Sequence, residues 1–289
     1  MDCSRKQELV RLCGTRSMNT PIQFDVCIPV NHNLRCLRTA MRGWRRYLQN
    51  KDAVGKVLLH IQHQEEAGEA TLIVANAGFR CEIASHGTEM ENMVHPMNRM
   101  LAASTARWVV MTEQDMFLRY PPDILVSEIE REGFIVAAPV DTFYYDNINA
   151  RKWPGYGRYG RLSGEPGHYH SSLMVINREA VAARTATPFT HPDMTKLHCY
   201  GCLGGELYYG LRANAERSRG ELGFFRQTHA PFGYSADISF QGRHLGTHLY
   251  YSSHQEGYVQ PGGHLNMTEA QWLESEEVRF LDDYERHLP

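Results

Sequence analysis

Glu113 and Asp115, one residue apart in the stretch R-W-V-V-M-T-E-Q-D-M-F-L at residues 107–118, are where this chain first offers chemistry. They follow the branched, apolar run at residues 108–111, which has the length and composition of a buried strand. Side chains alternate across an extended chain, so two acids at this spacing share one face and repel. Either one of them takes up a proton or a cation sits between them. Without further context, an E-x-D is also simply a polar loop with two solvated acids.

Other residues supply that context. Glu206 follows Gly204 and Gly205 at the start of an apolar, helix-like run. A carboxylate there can be a dipole partner for the helix, whereas the two glycines would let a ligand approach the backbone closely. His244 and His248 flank a glycine turn in Q-G-R-H-L-G-T-H. A single histidine so placed is usually structural, but an acidic pair awaiting a third ligand makes either one a candidate. Residues 141–169 are rich in Gly, Tyr, Trp and Arg and lack a periodic apolar face, as expected of a binding loop, a lid or a mobile connection. Trp153, Tyr156 and Tyr159 offer stacking faces to sugar rings or bases, and Arg151, Arg158 and Arg161 offer charge to phosphate. Cys199 and Cys202 form a lone C-x-x-C beside His198; this is a weak zinc pattern and reads better as a loop with two thiols.

The elements that must position these groups alternate. The stretch F-D-V-C-I-P-V from Phe24 is a strand, closed by the polar turn Asn31-His32-Asn33. Leu34, Leu37, Met41, Trp44 and Leu48 then recur at helical spacing, with a row of arginines outside. That basic face is either solvated or attractive to an anionic ligand. Residues 56–62 form a second strand, residues 65–77 a helix closed by Gly78, and residues 80–84 a third strand, although residues 72–74 could themselves be extended. A helix from Glu91 leads into the strand at Trp108. Beyond Pro121-Pro122 come a helix (123–131), a strand (134–139), a strand (168–177) and a short helix (178–183). Strands at 237–240 and 248–251, joined by Q-G-R-H-L-G-T, precede an acidic helix over 268–287. Such alternation predicts an α/β fold with a mainly parallel sheet, helices on both faces and a C-terminal elaboration. Ligands of open sheets bind beyond the carboxyl ends of the strands. Asn31, Gln62 and the Glu113/Asp115 pair all fall there.

With 289 residues, 42% hydrophobic content and a net charge of −3, the chain is a folded protein without global attraction to nucleic acid or membrane. No apolar run approaches a membrane span and no signal-peptide core is present, so the expected location is cytoplasmic. Seven scattered cysteines suit reduced thiols better than a disulfide framework.

Together these pieces resemble the GT-A class of nucleotide-sugar glycosyltransferases, in particular the large family 2 type, over about residues 24–250. D-V-C-I-P-V-N-H-N resembles the first strand and turn of that Rossmann-like fold, T-E-Q-D-M-F its D-x-D motif, H-S-S-L-M-V-I-N-R-E-A the strand and short helix before the acceptor side, and Gly204-Gly205-Glu206 its glycine-acid motif. The sequence departs from the pattern at Glu113, where aspartate is usual, at Leu207, where a second acid is common, and at Gln62-His63, where an acidic nucleoside contact is common.

The resemblance implies an N-terminal arm (1–20), a GT-A domain (21–255) with its donor half near 21–120 and acceptor half near 121–255, and an acidic helical tail (256–289). It implies donor contacts at Pro29, Asn31, Asn33, Gln62, Glu113 and Asp115, and acceptor contacts at Trp153, Tyr156, Arg158 and His170. A divalent metal, Mn2+ or Mg2+, would be held by Glu113, Asp115 and His248, with His244 as the alternate. Asp115 and Glu206 would be catalytic, Glu206 as the base of an inverting hexosyl or pentosyl transfer. The implied partners are a nucleotide sugar and a hydroxyl-bearing acceptor: a glycan, a small molecule or, less favoured by the charge, modified DNA. Two other classes fit the same acids and loop. One is a nucleotidyltransferase, although no G-x-x-x-x-G-K loop is present; the other is a non-catalytic carbohydrate- or nucleic-acid-binding protein.

Overall fold

The computed structural model describes residues 22–87, 94–141, 168–169, 171–183, 189, 222–229, 235–249 and 276–288. Its centre is β1 (Phe24–Val30), in which every residue is buried. A strand covered on both faces needs apolar side chains in both alternations, and F-D-V-C-I-P-V supplies them with one exception, Asp25. β2 (Val54–Ile61) and β4 (Trp108–Thr112) flank β1, both parallel to it, and β3 (Cys81–His86) lies parallel outside β2. The connections run through α1 (Leu34–Tyr47), α2 (Ala67–Asn76) and α3 (Val94–Ala103). Phe24, Val26, Ile28 and Val30 pack with Leu37, Met41 and Trp44 of α1 and Ile73 and Val74 of α2 on one face. Cys27, Val109 and Met111 meet Met97, Met100 and Leu101 of α3 on the other. Residues 72–74 are helical, with Ile73 and Val74 drawn onto the sheet and Leu72 left exposed, and Gly78 ends the segment with φ of 86°.

Past β4 the chain forms β5 (Met116–Leu118), α4 (Pro122–Arg131), β6 (Val136–Asp141), β7 (His168–Tyr169), β8 (Leu173–Asn177), α5 (Arg178–Ala182), β9 (Leu222–His229), β10 (Ser235–Phe240), β11 (Arg243–Leu249) and α6 (Glu276–Arg286). The described strands make one 11-stranded sheet in the order β3-β2-β1-β4-β8-β6-β9-β10-β11-β5, with β7 beside β6. The block β3-β2-β1-β4 is parallel, and the continuation is mixed. This order has a consequence for the acids. β5 lies at the far end of the path from β4, yet only Glu113, Gln114 and Asp115 separate the two along the chain. The sheet must curl until its last strand meets the exit of β4.

Three local expectations change. Residues 168–177 are two strands broken at Ser171-Ser172, because Ser172 turns its carbonyl to the β4 exit, where it accepts from Glu113 N (3.3 Å) and Thr112 Oγ1 (2.9 Å). The connection between β10 and β11 is only Gln241-Gly242, with φ of 49° and 79°, so R-H-L-G-T is strand rather than turn. Positive φ at both central residues matches the twist of a two-residue hairpin. β5 and β9 have no counterpart among the sequence-predicted strands: the first is too short for periodicity, and L-G-F-F-R-Q-T-H does not alternate strictly.

The arginine face of α1 is largely occupied by the chain itself. Arg35 donates to both carboxylate oxygens of Glu285 in α6 (Nε 3.0 Å, Nη2 2.9 Å) and to Asp282 (2.5 Å), and Thr39 donates to Glu285 (2.5 Å). Arg38 meets Glu69 at 2.9 Å, and Arg45 donates to the Ala77 carbonyl at 2.9 Å. Tyr284 of α6 donates to the Leu118 carbonyl of β5 (2.5 Å) and packs, with Phe280, on Phe117. The acidic C-terminal helix is thus seated on α1 and β5.

The Arg35 guanidinium holds the Glu285 carboxyl below the usual glutamate range, aided by Thr39 and against partial burial. A carboxyl whose folded pKa is depressed stabilises the fold above its unfolded value, about 4.3, and loses that contribution as pH falls through the folded value. Arg35→Ala is expected to cost about 1 kcal/mol near neutrality, given a bidentate but half-exposed pair. Urea titrations near pH 7 and near about pH 3 check this, with the gap between variant and wild type narrowing in acid.

Candidate metal centre

β4 ends at Thr112, and the chain then turns: Met116 N donates to the Glu113 carbonyl at 3.2 Å, closing a four-residue turn. Glu113 and Asp115 are therefore not on an extended strand as the simple alternation predicts. The turn still brings both acids to one imidazole. His248 Nε2 lies 2.9 Å from Glu113 Oε2 and 3.2 Å from Asp115 Oδ1. Asp115 and His248 are each 1% exposed, whereas Glu113 keeps a solvent-facing side.

His248 arrives through the sheet. β11 runs antiparallel to β5, with His248 opposite Met116 and Gly246 opposite Leu118, and Leu249 N donates to the Asp115 carbonyl at 3.0 Å. This close approach requires glycine at position 246, since a Cβ there would run into the Phe117 carbonyl oxygen and the Met116 side chain. Ser171 donates to Glu113 Oε1, so serine and histidine address opposite oxygens of that carboxylate.

The charges explain one another. Burial by itself pushes the His248 imidazole down, but the Asp115 and Glu113 carboxylates beside it more than reverse this, and it is pushed up to about 10. Without metal the cluster is an imidazolium bridging two carboxylates. With metal, the same three residues each offer one ligand atom, all within 4.8 Å of one another. Ligands of an octahedral ion at about 2.1 Å sit about 3 Å apart along an edge, close to the histidine–carboxylate separations here. Two hard oxygens and one imidazole suit Mn2+ or Mg2+. Among the described residues no other group of three such ligands is present.

The alternate histidine lies elsewhere. His244 Nε2 faces Asp237 Oδ1 at 3.3 Å and the Gly246 carbonyl at 3.0 Å on a solvent-exposed part of the hairpin. A bulge between Ile238 and Ser239 puts it out of phase with His248.

The anticipated donor residues gather at the carboxyl ends of β1 and β2. Pro29 pairs with His60 in the β1–β2 ladder. Asn31 Oδ1 meets His63 Nε2 at 3.0 Å, and the His32 and His63 rings stack with centroids 3.6 Å apart. Asn33 caps α1 with a left-handed backbone (φ 42°, ψ 55°), and Gln62 Oε1 lies 3.3 Å from His60 Nε2.

Sequence reasoning missed the residue between the acids. Gln114 is 1% exposed, and its amide binds the β1–α1 turn: Oε1 accepts from Asn31 N (2.9 Å), while Nε2 donates to Asn31 O (3.0 Å) and His32 O (2.8 Å). It was also silent on Ser171. Neither residue belongs to a pattern, because their partners are distant in the chain. Trp153, Tyr156, Arg158, His170, Cys199, Cys202 and Glu206 lie outside the described residues. No described helix is long and apolar enough to cross a membrane.

No family model matches the chain, and no curated protein matches it. Among solved structures it is similar to a mannosyltransferase from Pyrobaculum calidifontis in complex with GDP-Man and Mn2+, at 13% identity and a TM-score of 0.48, covering 80% of this chain and 65% of that one. The chain thus spans slightly less than two thirds of the length of that enzyme. It is also similar to glucosyl-3-phosphoglycerate synthase from Mycobacterium tuberculosis in complex with Mn2+, UDP-glucose and glycerol 3-phosphate, at 11% identity and a TM-score of 0.46, covering 74% of this chain and 76% of that one. The same synthase with Mg2+ and UDP matches at 12% identity and a TM-score of 0.44, covering 71% and 69%.

Gly246→Ala is expected to separate β11 from β5 and cost about 1–3 kcal/mol by overpacking. Thermal unfolding of the variant beside wild type measures the loss.

Proposed function

We propose that this chain is a metal-dependent glycosyltransferase that moves a sugar from a nucleoside-diphosphate sugar to a hydroxyl-bearing acceptor. The observation that carries this reading is the convergence of Glu113, Asp115 and His248 at the carboxyl edge of the parallel strands. An open parallel sheet offers its ligand site at that edge.

Asp115 and His248 are the buried ligands, and Glu113 is the ligand with a side in solvent. A divalent ion held there supplies Lewis-acid stabilisation of the charge that grows on a departing diphosphate. His248 must give up its proton to serve as a ligand, and Glu113, addressed by Ser171, keeps its second oxygen directed at His248. Asn31, Asn33, Pro29 and Gln62 occupy the adjoining strand ends, the side from which a nucleoside would reach the diphosphate. α1 begins just after its cap, Asn33, without an acidic residue in its first turn, so its positive end favours an anion on this edge.

The acceptor chemistry belongs to residues outside the described set. In this reading Glu206 removes the acceptor hydroxyl proton as the sugar is displaced with inversion, and Trp153, Tyr156, Arg158 and His170 hold the acceptor. The location is the cytoplasm, and the acceptor is a glycan or a small molecule.

Asp115→Asn keeps the side-chain volume and removes the charge. It is expected to fold and to lose Mn2+-dependent release of nucleoside diphosphate from a nucleotide sugar by about 10²-fold or more. Thermal-shift titration with Mn2+ and a panel of UDP- and GDP-sugars identifies the donor first; release of pyrophosphate from a nucleoside triphosphate instead would make the chain a nucleotidyltransferase.

Glu206→Gln is expected to lower transfer about 10²- to 10⁴-fold and to abolish the acidic limb of its pH dependence, where the base would take up its proton. Transfer at the wild-type rate, or a product that keeps the donor's anomeric configuration, removes Glu206 from the base role.

A further inference from the structure

We propose that Gln114 is a positioning residue that holds the β1–α1 turn in a left-handed form matched to a nucleoside, and so joins nucleoside recognition to the metal turn; this rests on the functional reading above. His32 and Asn33 both have positive φ, 47° and 42°. Consecutive non-glycine residues in that region are strained, and such strain persists only where surrounding groups over-determine it. At this turn, three of those groups come from one side chain. Gln114 uses its carbonyl oxygen on Asn31 N and its amide nitrogen on the carbonyls of Asn31 and His32. Its burial leaves no water to take over these roles.

The hold extends outward from the turn. Asn31 Oδ1 meets His63, His63 stacks on His32, and His32 Nδ1 lies 3.3 Å from Glu66 Oε1. One side chain therefore connects the turn that carries Glu113 and Asp115 to a stacked pair of imidazoles at the ends of β1 and β2. In this reading a nucleoside diphosphate engages both segments, with its phosphates at the acids and its nucleoside at the turn. Inorganic pyrophosphate reaches only the acids.

Separating these two ligands tests the role. Gln114→Glu retains one acceptor and loses both donors, Gln114→Met keeps the length and loses all three bonds, and circular dichroism and thermal melting establish that each is folded. Calorimetry then gives the affinity of each chain for Mn2+ alone, for pyrophosphate with Mn2+, and for UDP or GDP with Mn2+. If the turn leaves its bound form in nine of ten molecules, apparent nucleotide affinity falls about tenfold. The expected result for Gln114→Met is a loss of about tenfold or more for the nucleotide that wild type binds, with Mn2+ and pyrophosphate changed less than about threefold; Gln114→Glu loses at least as much nucleotide affinity, because its carboxylate oxygen faces the Asn31 and His32 carbonyls where the amide nitrogen had donated.

Unchanged nucleotide affinity in a folded Gln114→Met chain overturns the inference. So does an equal loss for all three ligands, or a chain in which both variants unfold, because Gln114 is then a general support. Those results leave the functional reading standing, whereas a wild-type chain that binds neither Mn2+ nor nucleotide overturns both.

Discussion

Two carboxylates held side by side repel unless a proton or a cation comes between them, and here the His248 imidazole stands between Glu113 and Asp115 at 2.9 and 3.2 Å. Much of the architecture reduces to the means of delivering that imidazole. Glu113 and Asp115 leave the central parallel block, while His248 comes from an antiparallel hairpin 135 residues further along the chain. The sheet curls so that β11 can pair with β5, and Gly246 lets the two strands come close enough for the pairing to form.

The acid turn is held from three directions, two by hydrogen bonds alone and the third by a hydrogen bond together with ring packing. Ser171 and Ser172 fix it by hydrogen bonds from the β8 side, which sets the direction of the Glu113 carboxylate. Gln114 fixes it to the β1–α1 turn, and Phe117 and Leu118 just beyond it are clamped by Tyr284 and Phe280 of α6. A site preorganised this way spends little reorganisation energy when a ligand arrives.

The parallel half was legible in the sequence because its signals are local. The all-apolar β1, the helical spacing from Leu37 to Trp44 and the run from Trp108 give type and order without knowledge of partners. The Glu113, Asp115 and His248 grouping was legible through the motif order that carried the family resemblance, not through geometry: the acids occupy a turn that alternation alone did not foresee. The antiparallel half was harder. β5 has three residues, β9 alternates irregularly, and the hairpin turn proved shorter than the glycines implied. Gln114 and Ser171 were invisible because a buried polar residue is identified by what it touches, and their partners lie 83 and 58 residues away.

The seat of α6 on β5 has a consequence for how the protein is made. Tyr284 holds the Leu118 carbonyl across 166 residues of chain, and His248 reaches Glu113 across 135. During synthesis the parallel half emerges and can collapse first, but its two acids then have no cationic partner until the hairpin and terminal helix leave the ribosome. Contacts this distant in sequence form late and slowly. The last of the described elements to be made are thus the ones that complete the surroundings of the first-made acids.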